Sequence, residues 1–287
     1  MTPRYGCVVL TMGRRPDDLR IALDSLLAQR GVELDVVVVG NEWEPVGLPA
    51  GVRSVGSPEN LGIPGGRNLG VPHVRGELLF FLDDDASLAS PGALARMGER
   101  FAADPALAVL QPRVAPRSGG KAARDWVPRL RVGDRSRSSD VTVMWEGAVA
   151  MRRSVFEAVG GWPGEFRFLH EGVDLAWRMM DAGHRIAYAG DIVVLHRSPP
   201  GTPRGYTFYY GARNRVWLAR RYLPLPLGVL YVGSFGVRTL PRLQSWGDAR
   251  DALRGYRDGL RGPAGPRRPL RARTLWRMLR AGRPPIM

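Results

Sequence analysis

The chain predicts an α/β fold: a mostly parallel central sheet flanked by helices, followed by a C-terminal helical basic extension. Three observations carry this. Short apolar runs alternate with helical patterns up to about residue 195. The runs are continuous, as in strands covered on both faces, and a cluster of acids follows one of them directly. Tyr5–Met12 is the first such strand. Pro16 then occupies a first helical position, with Asp17 and Asp18 in the turn where the helix dipole favours acids. Leu19, Leu23, Leu26 and Leu27 form the apolar stripe of that helix, and Gly31 closes it. Leu34–Val39 is the second strand, completing a βαβ unit with parallel strands and a right-handed crossover.

The pattern continues with a short strand at Arg53–Ser57 and a central one at Leu78–Leu82. Ser90 caps a helix running to about Ala103, with Pro91 next. Strands follow at Val109–Val114 and Val141–Met151, separated by an Arg-, Ser-, Gly- and Pro-rich stretch, 115–140, that reads as a mobile loop. Glu171–Ala182 is a helix stopped by Gly183, and Ile192–Leu195 a last strand ending at His196. Prolines 199, 200 and 203 then break regular structure before the aromatic, basic helical stretch Tyr206–Tyr222. Three parts are expected: a core domain over 1–200, a helical region over 201–260 and an arginine-rich tail over 261–287.

Composition narrows the function classes. A hydrophobic content of 44% over 287 residues supports a full core, and a single cysteine, Cys7, excludes a disulfide framework or a CxxC metal site. No 18-residue apolar run occurs, and the N-terminus enters a strand pattern directly. A cytoplasmic protein is therefore expected, peripheral on the inner face of the membrane if it meets one. The net charge is +15, and residues 261–287 carry eight arginines and no acid, so the remainder holds about +7. Such a tail suits an anionic membrane surface or plain solvation. The residues Tyr222–Val237 are uncharged but broken by prolines and glycines, which suits an interfacial segment or a helix covering the core. Nucleic acid is not an expected partner, since no recognition helix or RNA-binding aromatic motif is present.

Ligand groups in such folds collect at the carboxyl ends of parallel strands. There, Leu78–Leu82 runs into Asp83, Asp84 and Asp85. Three adjacent carboxylates repel one another unless a cation neutralises them, and oxygen-rich sites suit Mg²⁺ or Mn²⁺, either of which would hold a diphosphate. The plainer reading is an acidic turn. Upstream lies NLGIPGGRNLG, from Asn60 to Gly70, where Gly62 and its fellows permit close backbone approach and Arg67 and Asn68 supply donors. It is neither a P-loop nor a dinucleotide fingerprint. Glu171 and Asp174 share one face of their helix, as catalytic acids or as a dipole complement with an Asp174–Arg178 bridge. His196, polar at a strand end, is a structural residue or a ligand.

In this order, LDDD, the loop before it, GAVAMRRSVFEAVGGW, FLHEGVDLAWRMMDAGHRI and VVLH resemble glycosyltransferase family 2, over about residues 5–220 including YYGARNRVWLARRYLP. The nearest likeness is to bacterial rhamnosyltransferase-like enzymes of cell-surface glycans. The resemblance implies a GT-A fold and an inverting, metal-dependent transfer from a nucleoside-diphosphate sugar to a glycan or lipid-linked acceptor. It implies a divalent cation on Asp83, Asp85 and His196. Donor contacts would come from Thr11, Asn41, Asn60, Gly62, Arg67, Asn68, Asp83, Asp84, Arg213 and Asn214. Two departures stand out. Gly40 replaces an acid common in the family, leaving base recognition to Asn41 or Glu42, and the family's Glu-Asp pair reads Glu171–Gly172. The base role then falls to Glu171, with Asp174 behind it. The alternatives are a catalytically impaired nucleotide-sugar-binding relative and, further off, a nucleotidyltransferase.

Overall fold

The computed structural model describes residues 2–197 and 204–286. The prolines at 199, 200 and 203 lie outside the described residues. Strands β1 (Arg4–Thr11), β2 (Glu33–Asn41), β3 (Val52–Ser57) and β4 (Leu78–Asp83) are joined through helices α1 (Pro16–Leu27) and α2 (Gly62–Gly70). They form a parallel block in the order β3-β2-β1-β4. Beyond β4 the sheet turns mixed. Strand β8 (Ala148–Arg152) pairs antiparallel with both β4 and β6 (Leu107–Pro116), and β6 runs parallel to β9 (Arg185–His196). The short strands β5 (Ala86–Leu88) and β7 (Ser139–Asp140) lie antiparallel on β9.

The continuous apolar runs feed two cores, because alternate residues of a strand face opposite sides. Cys7, Val9, Phe80 and Leu82 pack with Leu23 and Leu26 of α1 and with Leu94 and Met97 of α3 (Ala93–Ala103). Val8, Val37, Leu79 and Phe81 pack on the other side with Phe156 of α4 (Arg153–Ala158), with Trp162 and with Leu175 of α5 (Glu171–Asp181). Each such side chain, fully buried, contributes about 1.5–3 kcal/mol. Leu27 drops out of the α1 stripe and is 41% exposed. The helix expected from Ser90 begins at Ala93, after a turn in which the Gly92 amide donates to Ser90 Oγ.

Three expectations are corrected. The glycine-rich loop Asn60–Gly70 is mostly helix α2. A Cβ at Gly66 would lie 2.4 Å from Leu10, and one at Gly70 2.6 Å from Val8, so these glycines let the helix sit directly on the sheet. The strand expected over Val141–Met151 is regular only in β8, and 141–147 is a loop. Residues 115–140 are no open loop: Trp126 and Val127 are buried, and Arg124 and Arg129 donate to backbone carbonyls within the segment.

After residue 203 come α6 (Arg204–Tyr222), α7 (Leu225–Thr239), α8 (Trp246–Arg261) and α9 (Ala272–Arg280). Trp217, Leu218 and Tyr222 of α6 belong to the same apolar cluster as Trp177 of α5. So do Ala264, Leu270 and Met278, so the stretch from 261, read as a tail, is docked. Thr274 donates to Asp181, and Arg277 donates to the carbonyls of Met180 and His184. No described helix is long and apolar enough to cross a membrane.

Candidate active site

The carboxyl end of β4 delivers the three aspartates to three different environments. Asp83, with a 30% exposed side chain, accepts from Arg67 Nη2 at 2.8 Å. Asp84 is 4% exposed and accepts from Thr11 Oγ1 at 2.6 Å and from Arg15 Nη2 at 2.5 Å. Asp85 accepts from Arg15 Nη1 on one oxygen, and its other oxygen lies 3.0 Å from His196 Nε2. Asp83, Asp85 and His196 each offer a ligand atom, all within 4.8 Å of one another. Two carboxylate oxygens and an imidazole nitrogen at this spacing form a donor set fit for a divalent cation.

Charge is balanced here. Burial pushes the Asp84 carboxyl up to about 6, with Asp85 and Asp83 adding to the rise and Thr11 and Arg15 opposing it. Burial works against the charge of Asp85 too, but the hydrogen bond and charge of His196, with Arg15, hold it below the usual carboxylate range. For His196 burial acts downward, and Asp85 overrides it to raise the imidazole above its ordinary value. Sequence reading found Arg67 but missed Arg15, Arg117 and Arg197. Arg117 Nη2 and the Arg197 amide both donate to the Asp85 carbonyl, and both guanidiniums pair with Asp18. It also missed Trp126 and Trp145, whose rings stand edge-on to His196 at 5.3 and 5.1 Å. Buried Gln111 holds both in place, donating to the Trp126 carbonyl and accepting from the Trp145 amide. Scattered arginines in so basic a chain carry no local signal.

A second acidic group adjoins the first. Glu171, at the start of α5, is 3% exposed, and its Oε2 has no hydrogen-bond partner among the described residues. Beside it lies Glu146, a residue sequence reading did not single out, from the loop before β8. Glu146 keeps some accessible surface, and its Oε1 accepts from the Gly172 amide at 2.7 Å. Burial, and then the charge of Glu146, raises the Glu171 carboxyl, with Arg67 opposing. Glu146 is likewise raised by burial. Arg67, itself 2% exposed and stacked on Trp162, thus stands between the glutamates and Asp83.

Other predicted residues turn out to build the walls. Thr11 also accepts from the Gly13 amide, and its hydroxyl supports Asp84. Asn41 accepts from the Leu61 amide and donates to Asn60, whose oxygen takes the Gly62 amide, tying β2 to the start of α2. Gly62 has φ +72°, and a Cβ there would lie 2.6 Å from the Arg167 backbone. At Gly40 a Cβ would fall 1.9 Å from the Trp43 carbonyl, so no acid fits there.

Four residues leave the reacting groups altogether. Asn68 spends its amide on the backbone N–H and C=O of Trp162. Asp174, fully buried, accepts from Arg178, Arg221 and Tyr222, which withdraws it from the base role. Arg213 donates to the carbonyls of Glu165 and Phe166, and Asn214 to those of Phe166, Phe168 and Leu169. They clamp a loop in which Arg167, Leu169 and His170 all have positive φ, and this loop delivers Glu171.

Sheet order and flanking helices define a GT-A fold, and solved structures agree. A mannosyltransferase from Pyrobaculum calidifontis in complex with GDP-Man and Mn²⁺ matches 98% of this chain and 85% of its own, with TM-score 0.59 and 20% identity. S. aureus TarS in complex with UDP-GlcNAc matches 94% of this chain and 82% of its own, with TM-score 0.62 and 13% identity. Such identities speak for the fold alone. The model of glycosyl transferase family 2 matches residues 7–160, more than half the chain, and the chain belongs to that family. An O-antigen chain rhamnosyltransferase, RfbN of Salmonella typhimurium, is 28% identical over 187 residues, 60% of this chain and 59% of its own. A pre-mycofactocin glycosyltransferase of Mycobacterium tuberculosis is 28% identical over 227 residues, 75% of this chain and 44% of its own. The chain thus spans about half the length of these curated relatives.

Proposed function

We propose that this protein is an inverting, metal-dependent glycosyltransferase that moves a sugar from a nucleoside-diphosphate sugar to a hydroxyl of a cell-surface glycan or lipid-linked intermediate. The observation that carries the reading is the Asp83–Asp85–His196 donor set standing beside a second, under-neutralised pair of carboxyls in a family 2 chain. Asp83, Asp85 and His196 would hold the cation, and the imidazole in the set suits Mn²⁺ better than Mg²⁺. Bound there, it supplies charge stabilisation for the departing diphosphate. Arg15, Arg117 and Arg197 add fixed positive charge on the same side. The Glu146–Glu171 pair takes the proton of the attacking hydroxyl. Trp126 and Trp145 wall the site and exclude water.

The C-terminal helices support a lipid-proximal acceptor on the cytoplasmic side of a membrane. On α8, Trp246, Leu253 and Leu260 are 64–86% exposed and interleave with Arg250, Arg254 and Arg257 along one face. Trp276 and Leu279 of α9 are exposed as well. Apolar anchors among arginines suit an anionic lipid surface. A binding-only relative is the second reading, favoured by the missing acid at Gly172.

The test is a panel of UDP-, dTDP- and GDP-sugars with Mn²⁺, scored first by thermal stabilisation and then by sugar transfer to water or a decyl glycoside. One donor class raises Tm only with metal, and turnover stops in excess EDTA. Turnover unaffected by EDTA refutes the metal dependence, and donor binding without any sugar release establishes the second reading. Flotation with anionic but not neutral vesicles checks the lipid surface in the same preparation. Full-length protein is required, because Leu270 and Met278 are core residues.

A further inference from the structure

Position 172 is a glycine, and its space is taken. A Cβ built on Gly172 would lie 2.2 Å from Glu146 Oε1 and 2.6 Å from the Glu146 Cγ and Cδ. The carboxyl of Glu146 therefore occupies the volume that a side chain at 172 would fill, and it is fastened there by the Gly172 amide in the first turn of α5. That amide is one of the helix's unpaired N–H groups, so it favours the ionised acid. The loop carrying Glu146 is pinned on both sides. The Trp145 amide is held by Gln111, and the Gly147 carbonyl accepts from the Asp83 amide at 2.8 Å. Glu146 is thus the direct neighbour of the residue whose carbonyl anchors the end of β4. Of the two glutamates, Glu171 is sealed at 3% exposure, while Glu146 is half-buried.

We propose that Glu146 is the general base of this transferase, supplying from the β8 loop the carboxylate that α5 lacks at Gly172. This rests on the transferase reading above. The acceptor oxygen bonds to the anomeric carbon as the bond from that carbon to the diphosphate oxygen breaks. The hydroxyl proton passes to Glu146, and the bonding pair leaves with the nucleoside diphosphate. Glu171 lies behind it as a buried neighbour.

Glu146→Gln, whose amide oxygen still accepts from the Gly172 N–H, keeps the fold. It lowers kcat by about 10²–10⁴-fold while the donor KM and the affinity for UDP with Mn²⁺ stay within about threefold. The double variant Glu146→Ala with Gly172→Asp returns a carboxylate to the emptied space from the helix side, and it regains at least about tenfold of the lost kcat. A Glu146→Gln enzyme with kcat within about threefold of wild type overturns the assignment while leaving the transferase reading intact. So does loss of UDP–Mn²⁺ binding in step with kcat. Absence of sugar release by wild type from every donor in the panel overturns both.

Discussion

The two acid clusters of this molecule lie side by side and are stabilised in opposite ways. Asp83, Asp84 and Asp85 follow one another in the chain and meet Arg67, Arg15 and His196, so nearly every charge has a partner. Glu146 and Glu171 come from separate segments, share the influence of Arg67, and leave one carboxylate oxygen unpartnered. The first cluster is arranged to hold positive charge. The second is arranged to be easily protonated. In the proposed transfer, the first acts on the leaving group and the second on the incoming hydroxyl.

The largest expected effect separates the two. Asp85→Ala removes a ligand and a partner of both Arg15 and His196, and it lowers turnover by about 10³-fold or more, together with loss of Mn²⁺ binding by calorimetry. Unchanged Mn²⁺ affinity would show that the first cluster does not hold the cation. Next in size is Asn214→Ala, which strands the carbonyls of the 166–169 loop. It costs about 2–3 kcal/mol and lowers Tm by roughly 5–10 °C. Because that loop delivers Glu171 and the Gly172 amide that holds Glu146, and no residue of the first cluster, Mn²⁺ affinity is retained while kcat falls. A variant with wild-type Tm and kcat would mean the loop needs no clamp.

The smallest effect concerns pH. The Glu171 carboxyl is raised in the folded protein, so its folded form binds the proton more tightly than the unfolded chain does. The stability it contributes is present below the unfolded carboxylate range and is lost as pH climbs through the folded value. Glu171→Gln removes that loss. Its Tm therefore equals that of wild type near pH 5 and exceeds it by a few degrees near pH 9, on the order of 1 kcal/mol. Asp85 behaves in the opposite sense: lowered in the fold, it contributes stability above the ordinary carboxylate range that is lost in acid. A Tm difference independent of pH would show that Glu171 is not under-neutralised.

How far each cluster could be read beforehand follows from its contiguity. Asp83–Asp85 is visible because repulsion between adjacent carboxylates is a local fact, and His196 because it ends a strand pattern. Arg67 was also legible, although its pairing with Asp83 was not. Glu146 sits in an unremarkable loop, 26 positions from the amide it binds, and nothing near it in the chain signals a role. Arg213 and Asn214 show the reverse case: a polar pair on an aromatic helix looks like a ligand site, yet both side chains donate to backbone carbonyls of the 165–169 loop. Asp174 misled in the same way, its bonds to Arg221 and Tyr222 spanning 47 and 48 residues.

By itself, the order of residues determined the alternating strands and helices, the two-faced burial of the sheet and the place of the aspartate cluster. Those follow from periodicity, propensity and short-range charge, which act within a few residues. Only the folded chain decided that α2 is a helix pressed on the sheet, that the arginine-rich end is docked, and that a glutamate from one loop fills the gap left by a glycine in another helix. Such pairings depend on which distant segments the sheet order brings within a few ångströms, and no local rule encodes that distance.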